Sequence, residues 1–182
     1  MILLLKTTYE MAFQKILALK SLTMYGLILQ NMVEYIQNKH GDNMWKKVKE
    51  QLNLEVDVFP AGETYPEAQV GKMGKTAMKI LSMKDEEFYE GMGKYFVTLA
   101  KDAGYERTIT QLGRGLRDFF LNLDNLHDYL KYTFPKMKAP SFFVDSETED
   151  NLMLQYRTRR RGFHYYVQGQ VGSTKMPIYS SY

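Results

Sequence analysis

A histidine lies on the apolar face of a predicted helix. His127 belongs to a stripe of residues that recur every three or four positions, the spacing that puts side chains on one face of an α-helix. The stripe consists of Leu116, Phe120, Leu123, His127, Leu130 and Phe134. Two interpretations follow from this position. His127 is either a hydrogen-bonded core histidine or a ligand to iron or zinc through a neutral imidazole nitrogen.

Zinc sites and haem iron differ in the number of protein ligands that they need. A zinc site needs three or four nitrogen, sulfur or oxygen ligands, whereas the chain contains three His and no Cys. His40 and His164 are both far from His127 in sequence, which argues against a structural zinc site. Haem iron needs only one protein ligand on an otherwise apolar wall. Haem therefore stays open as the alternative to a core histidine.

A second candidate site is the arginine-rich stretch YRTRRRG, from Tyr156 to Gly162. It could be the charged edge of a strand, a clamp for an anion, or a nucleic-acid patch assisted by nearby aromatic residues. In a strand, Tyr156, Thr158 and Arg160 point to the same side. Two hydroxyl groups and a guanidinium on one face suit a carboxylate or a phosphate. The edge is favoured first, the clamp second and nucleic acid third.

The stretch GKMGKT, from Gly71 to Thr76, resembles the end of a phosphate-binding loop. That loop needs a glycine five residues before its Gly-Lys pair and a strand ahead of it. Position 69 is Gln, and a loop containing proline comes before. A helix with lysines on its solvent face is therefore the better interpretation.

The elements that must position these residues are helices first and strands later. Hydrophobic periodicity and breakers predict helices over 24–39, 42–54, 67–82, 82–104, 105–113 and 114–134. Asp42 or Asn43 is expected to cap the second of these helices. Two strand-like runs, Ser141–Asp145 and Leu152–Thr158, flank a polar turn and predict a hairpin. The fold class is therefore α+β, with N-terminal helices followed by a small antiparallel sheet.

Composition sets the broad class of the protein. The chain has 182 residues, is 45% hydrophobic, and carries a net charge of +3, which is too small to indicate nucleic acid as a partner. The absence of Cys excludes disulfides and is compatible with a cytoplasmic protein. No apolar run reaches the length of a membrane span. Residues 1–23 lack the features of a signal peptide and are expected to be a weakly amphipathic helical extension or a non-native leader.

The histidine helix and the arginine stretch together resemble a known family. The segments NLDNLHDYLKYTFPKMKAPSF and LQYRTRRRGF are similar to the haem-nitric oxide/oxygen binding (H-NOX) domain of soluble guanylate cyclase subunits. The resemblance runs from Met24 to about Val171. The sequence looks most like the atypical invertebrate guanylate cyclases proposed as oxygen sensors. This resemblance implies an H-NOX-like fold that binds haem b.

The resemblance also implies roles for individual residues. His127 matches the proximal ligand of the haem iron, and Pro140 matches a proline that presses on the haem. Tyr156, Thr158 and Arg160 match the motif that binds the haem propionates, with Thr where the family usually has Ser. Tyr166, with Tyr165 beside it, falls near the distal position. A hydrogen-bond donor there favours bound oxygen, and its absence favours nitric oxide.

The end of the chain departs from the family pattern. The segment GSTKMPIYSSY replaces the rest of the last helix and the last strand, so both elements are expected to be incomplete. The expected organisation is an extension (1–23), a sensor domain (24–171) and a divergent tail (172–182). The resemblance implies a truncated sensor of oxygen or nitric oxide that regulates cyclic GMP synthesis without a catalytic domain of its own. Its expected partners are a diatomic gas and another cyclase subunit, with no nucleic acid and no membrane span. The alternative is a haem-free module that pairs with cyclase subunits and lowers their output.

Overall fold

The helices and strands follow the order that the sequence predicts. The computed structural model describes residues 24–60, 63, 65–102, 112–113, 115–133, 138–148 and 151–172. The elements are α1 (Met24–His40), α2 (Asp42–Leu52), α3 (Glu67–Leu81), α4 (Asp85–Asp102), α5 (Leu116–Thr133), β1 (Ser141–Glu147), β2 (Leu152–Arg157) and α6 (Phe163–Gly172). The α+β prediction, with N-terminal helices and a small antiparallel sheet, is confirmed. Residues 105–111 of the helix predicted over 105–113, the 1–23 extension and the tail beyond residue 172 lie outside the described residues, and residues 112–113 are not helical.

The described residues form two compact units. One unit contains residues 24–99 and 158–172, and is called the helical unit below. The other lies within residues 100–157 and is called the histidine unit. The predicted domain boundaries at residues 23/24 and 171/172 stay predictions.

The helical unit has an apolar core contributed by α1 to α4 and the loop before α3. Helices α1, α2 and α3 pack against one another in pairs. Periodic apolar positions on each helix face inward, as their three- and four-residue spacing requires. The fully buried side chains include Leu29, Met32, Ile36, Val48, Phe59, Val70, Met73, Phe88 and Met92. The segment Gly71–Thr76 lies inside α3, which agrees with its interpretation as helix.

Helix α6 crosses α4 at a distance that only glycine permits. A Cβ at Gly93 of α4 would collide with the backbone carbonyl of Tyr166, and a Cβ at Gly169 of α6 would collide with that of Glu90. Five residues of α6 are buried: Phe163, Tyr166, Val167, Gly169 and Val171. The residue patterns did not predict α6, because aromatic and β-branched residues are typical of strands. Burial on this close-packed helix outweighs that preference.

The histidine unit consists chiefly of α5 and the hairpin. Strands β1 and β2 pair antiparallel, with Phe142 opposite Tyr156 and a bulge between Val144 and Ser146. The backbone N–H of Thr148 donates to the carbonyl of Asn151 at 2.7 Å and closes the predicted turn. Both strands begin where predicted. Strand β1 runs two residues further than predicted, to Glu147, and β2 ends one residue earlier, at Arg157.

Two helix boundaries differ from the prediction. Gly41, rather than Asp42 or Asn43, occupies the N-cap of α2, with φ +90° and no capping side chain. Glycine adopts this backbone conformation at little cost, so the chain can turn sharply between α1 and α2. Ser82 was expected at the start of the fourth helix. It instead ends α3 in a left-handed conformation with φ +55°, and α4 begins at Asp85.

Candidate haem-binding residues

His127 lies on the buried side of α5, as the stripe predicts. His127 is 9% exposed, and Phe120, about two helical turns earlier, is also buried. Leu116 and Leu123 are partly buried, which agrees with an inward-facing stripe. The side chain of Leu130 and all of Phe134 lie outside the described residues. This burial agrees with both interpretations of His127, the core histidine and the metal ligand.

Phe142 of β1 organises the aromatic contacts around His127. Its ring centroid lies 5.7 Å from that of His127 with the planes 19° apart, and 5.5 Å from that of Phe120 with the planes 28° apart. The ring of Tyr156 lies 5.1 Å from Phe142 on the neighbouring strand. These contacts bring two of the predicted site residues, His127 and Tyr156, to the same aromatic cluster. Pro140 is buried and directly precedes β1.

A hydrogen bond connects the histidine helix to the hairpin. The backbone N–H of Phe142 donates to Oδ1 of Asp124 at 2.8 Å. Asp124 lies three residues before His127 and therefore about one turn along the same helix. A salt bridge between Arg117 and Glu147, at 3.7 Å, makes a second connection, but both side chains are exposed. The Asp124 bond is the stronger constraint, because exposed ion pairs contribute little.

The strand geometry predicted for the arginine stretch is wrong beyond Arg157. Strand β2 ends there, and Thr158 and Arg160 belong to the turn that leads into α6. The backbone N–H of Arg160 donates to Oγ1 of Thr158 at 3.2 Å. This local bond replaces the ladder that would have alternated the side chains. A hydroxyl that accepts one hydrogen bond can still donate its own hydrogen. Thr158 can therefore still donate to a carboxylate or a phosphate.

The arginines divide into exposed and buried members. Arg157 and Arg159 are exposed, and the Arg161 side chain is 89% exposed and forms an ion pair with Asp85 at 3.3 Å. These three resemble a charged edge. The Arg160 side chain is only 8% exposed. Its guanidinium lies 5.1 Å from the ring centroid of Tyr25 and 5.5 Å from that of Phe163.

Glu67 is a charged neighbour of Arg160. Its Oε1 lies 3.7 Å from Nε of Arg160, so the two groups form an ion pair that is too long for a hydrogen bond. Glu67 lies in the first turn of α3, where the helix dipole favours a negative charge. Nothing in the linear pattern joins these two residues. Sequence reasoning therefore missed Glu67, and missed Tyr25 for the same reason.

The turn before α6 is fixed by a glycine. Gly162 has φ +80°, a conformation that L side chains rarely adopt. A Cβ there would also collide with the ring of Tyr89. Burial raises the pKa of Tyr89 to about 12, with Asp85 adding to the effect, so this phenol stays neutral at physiological pH. The turn that carries Arg160 is therefore held against an uncharged ring.

The two candidate distal tyrosines have different surroundings in α6. Tyr166 is buried, and its hydroxyl accepts a hydrogen bond from Nδ2 of Asn31 at 3.4 Å. Its ring packs against Phe96 and Phe163. Tyr165 is partly buried beside the ring of His164. The hydroxyl of Tyr166 therefore has a defined hydrogen-bond donor inside the helical unit.

The donor set fits the two demands of haem. Haem needs an axial ligand on an apolar wall and partners for two carboxylates. In the histidine unit, His127 beside Phe142 has the chemistry that the first demand requires. In the helical unit, the Arg160 guanidinium and the Thr158 hydroxyl have the chemistry that the second requires. Among the described residues no three His, Asp or Glu side chains gather into a site for a metal ion alone. In the same part of the chain, no helix is long and apolar enough to cross a membrane.

Comparisons with known proteins agree with this chemistry. A family model described as Haem-NO-binding matches residues 25–181. The soluble guanylate cyclase gcy-31 of Caenorhabditis elegans is 33% identical over 158 residues, covering 87% of this chain and 22% of that protein. The soluble guanylate cyclase gcy-33 of the same organism is 34% identical over 148 residues, covering 81% of this chain and 16% of that protein. The chain thus spans about a fifth of the length of these curated relatives.

Solved structures share the fold at low sequence identity. An oxygen-binding H-NOX domain related to soluble guanylate cyclases, solved as its oxygen complex, matches with a TM-score of 0.69 at 15% identity. The match covers 82% of this chain and 78% of that one. The Fe(II) unliganded H-NOX protein from K. algicida matches with a TM-score of 0.67 at 18% identity, covering 82% and 80% of the two chains. These matches establish the fold.

Proposed function

Because the chain belongs to the Haem-NO-binding family, we propose that it is a haem-based sensor domain for a diatomic gas. The observation that carries this proposal is the position of His127. It is a buried imidazole on the apolar face of α5, in contact with the aromatic ring of Phe142. An axial ligand needs such a place, whereas a solvent-exposed histidine would not exclude water from the iron.

The remaining site residues would bind and orient the cofactor. His127 would be the axial ligand, and Arg160, Thr158 and Tyr156 would bind the carboxylates of haem b. A guanidinium supplies a planar pair of donors to a carboxylate, which a lysine does not. Pro140 would contact the macrocycle from its buried position before β1. Haem, when bound, supplies the iron at which a diatomic gas can bind.

The contacts of α5 suggest how a movement of His127 would be transmitted to strand β1. A shift of the imidazole moves the residues that share its face of α5. Phe142 contacts both His127 and Phe120, and its backbone is held by Asp124. Displacement of α5 is therefore passed to β1 through stacked rings and one hydrogen bond. A rigid helix coupled to a strand in this way suits a two-state switch.

The gas is proposed to be oxygen or nitric oxide, and the tyrosines of α6 bear on the choice. A hydroxyl that accepts from Asn31 has its own hydrogen to donate elsewhere, which makes Tyr166 the better supported distal donor. Tyr165 is the alternative. Loss of oxygen binding in Tyr166→Phe, but not in Tyr165→Phe, would support this assignment, and the reverse pattern would transfer it to Tyr165.

The proposed output is control of guanylate cyclase. Two relatives are named soluble guanylate cyclases and are several times longer than this chain. We therefore propose that the domain regulates cyclic GMP synthesis that is carried out by a catalytic domain elsewhere, with another cyclase subunit as its partner. A cytoplasmic location is part of the same proposal.

The first experiment is an absorption spectrum of the haem-reconstituted ferrous chain under nitrogen, oxygen and nitric oxide. We expect one haem per chain and a Soret band that shifts with at least one gas. His127→Ala should lose or alter this band. His40→Ala is the matched control, because His40 lies at the end of α1, and it should leave the spectrum unchanged.

Two outcomes would contradict the proposal. A folded chain that takes up no stoichiometric haem would leave the haem-free interaction module as the working function. Equal haem spectra in the wild type and His127→Ala would remove His127 as the ligand.

A further inference from the structure

The buried guanidinium of Arg160 already has an anionic neighbour within the chain. Arg160 is 8% exposed at its side chain, and Glu67 lies 3.7 Å from its Nε with 29% of its own side chain exposed. A charge removed from water in this way is stabilised by an opposite charge close by. Glu67 therefore contributes to the electrostatic surroundings that any incoming anion meets at Arg160.

Glu67 approaches Arg160 at one specific edge. The contact involves Nε, whereas bidentate recognition of a carboxylate can use the two Nη groups. The distance of 3.7 Å also exceeds hydrogen-bond range. The interaction between the two residues is therefore mainly an attraction of charges. Through this contact, Glu67 changes the electrostatic potential at the guanidinium but makes no directional hydrogen bond to Nε that would orient it.

The aromatic rings hold the guanidinium in place by another means. Tyr25 and Phe163 each lie within 6 Å of it, at 5.1 Å and 5.5 Å from their centroids. Such contacts orient an arginine by packing and by attraction to the ring face. Removing the charge of Glu67 would leave both contacts intact. We therefore expect Arg160 to keep its orientation when the charge of Glu67 is removed.

From these contacts we propose that Glu67 competes with the carboxylates of haem for Arg160, and so limits how tightly the chain retains haem. The proposal rests on the proposed function, because it concerns the same cofactor. A carboxylate beside the guanidinium partly neutralises it and repels a second carboxylate. Glu67 acts through Arg160 and is a tuning residue for cofactor retention.

The test is the rate at which haem leaves the reconstituted chain. Transfer of haem to an excess of apomyoglobin is followed by absorbance, for the wild type, Glu67→Gln and Glu86→Gln. Glu86 is the control because it lies in the first turn of α4, as Glu67 lies in the first turn of α3, but Glu86 is exposed whereas Glu67 is half-buried. Loss of haem should slow by about tenfold in Glu67→Gln, and stay unchanged in Glu86→Gln.

Two further arms identify the interaction. In an Arg160→Gln background, Glu67→Gln should have no further effect on the rate of haem loss, because the shared partner is gone. Haem dimethyl ester, whose carboxylates are uncharged, should leave the wild type and Glu67→Gln at equal rates. Glu67→Asp withdraws the carboxylate by one methylene and should give an intermediate rate with haem itself.

The outcomes separate the two proposals. Equal or faster haem loss in Glu67→Gln, with haem still bound through His127, would overturn the role of Glu67 and leave the sensor function standing. An effect that persists in the Arg160→Gln background would also overturn it. If neither the wild type nor Glu67→Gln binds haem, both proposals fall together.

Discussion

At the scale of single residues, Asn31 stands out as a polar side chain inside an apolar core. It is 0% exposed, and its Nδ2 donates to the carbonyl of Met92 at 3.2 Å and to the hydroxyl of Tyr166 at 3.4 Å. One amide thus joins α1 to both α4 and α6. Buried polar groups are costly unless they are hydrogen-bonded, so these contacts specify how the three helices pack.

Tyr166→Phe is expected to destabilise the chain by about 1 kcal/mol, since the Asn31 amide loses one of its acceptors. Urea unfolding followed by circular dichroism measures this change. Tyr165→Phe is the matched control on the same helix, and we expect its effect to stay within about 0.5 kcal/mol. Equal stability of the wild type and Tyr166→Phe would show that the Asn31 bond makes no net contribution.

The single Trp of the chain reports on a second residue, Asp57. Hydrogen bonds from Lys49, at 2.6 Å, and from Nε1 of Trp45, at 3.2 Å, hold the pKa of Asp57 below its ordinary value of 3.8. The folded state therefore binds this proton less tightly than the unfolded state. The stabilisation from Asp57 is present above pH 3.8 and is lost as the pH falls through the lowered pKa.

Trp45 fluorescence should consequently stay constant down to about pH 4 and change below that value. Asp57→Asn should remove this low-pH transition, because the amide does not titrate. Asp42→Asn serves as the control, because Asp42 lies on α2 together with Trp45 but is not bonded to it. This variant should retain the low-pH transition. A transition of the same midpoint in Asp57→Asn would assign the signal to another group.

At the scale of elements, α5 and β1 are joined more closely than their sequence patterns indicate. The apolar stripe predicts that α5 buries His127 and Phe120, but it does not identify what covers them. The alternation of β1 leaves Phe143 exposed and turns Phe142 inward. Phe142 then fills the space beside both residues of α5.

Asp124→Ala is expected to weaken this junction. The backbone N–H of Phe142 would lose its acceptor, at a cost of about 1–3 kcal/mol when the group is left unsatisfied. Asp128→Ala is the matched control, because Asp128 lies on the same helix and, among the described residues, forms an exposed ion pair with Lys131. Thermal unfolding measures both variants. A loss of stability that is no larger for Asp124→Ala than for Asp128→Ala would exclude the bond as the junction.

The sequence predicts the elements better than it predicts what lies between them. Periodicity correctly places His127 and Phe120 inside, since burial of one helix face is a local property. Periodicity fails for Arg160, because strand β2 ends before this residue. The Arg160 N–H donates to the Thr158 hydroxyl, so it is not available to a continued strand. Periodicity also fails for Glu67 and Asn31, whose partners are distant in sequence and are brought near only by packing. The residue patterns also missed α6, whose aromatic and β-branched residues are typical of strands, although the family resemblance implied a last helix.

At the scale of the whole molecule, the predicted cofactor residues fall in both units of the chain. His127, Pro140 and Tyr156 belong to the histidine unit, and Thr158, Arg160, Tyr165 and Tyr166 belong to the helical unit. A ligand that binds the folded chain, and not the unfolded one, stabilises it by mass action. Haem that binds the folded chain would therefore stabilise it.

Removal of haem is accordingly expected to lower the thermal midpoint of the reconstituted chain by about 5 °C or more. Circular dichroism should detect the loss in α-helical signal, and Trp45 should report separately on the helical unit. Haem-free His127→Ala provides the reference, and adding haem to it should produce a smaller rise. An unchanged midpoint after haem removal from the wild type would contradict the linkage.

The crossing of α4 and α6 has a consequence for how this protein can be engineered. Gly93 and Gly169 each face a backbone carbonyl of the opposite helix. An added Cβ at either position would therefore collide with the other helix. In a saturation library, these two positions should accept glycine alone, whereas Gly71, with no atom within 4 Å of an added Cβ, should accept many residues. Redesign of α6 therefore has to use side chains that face away from this crossing, because the spacing of the two backbones leaves no room for a Cβ at either glycine.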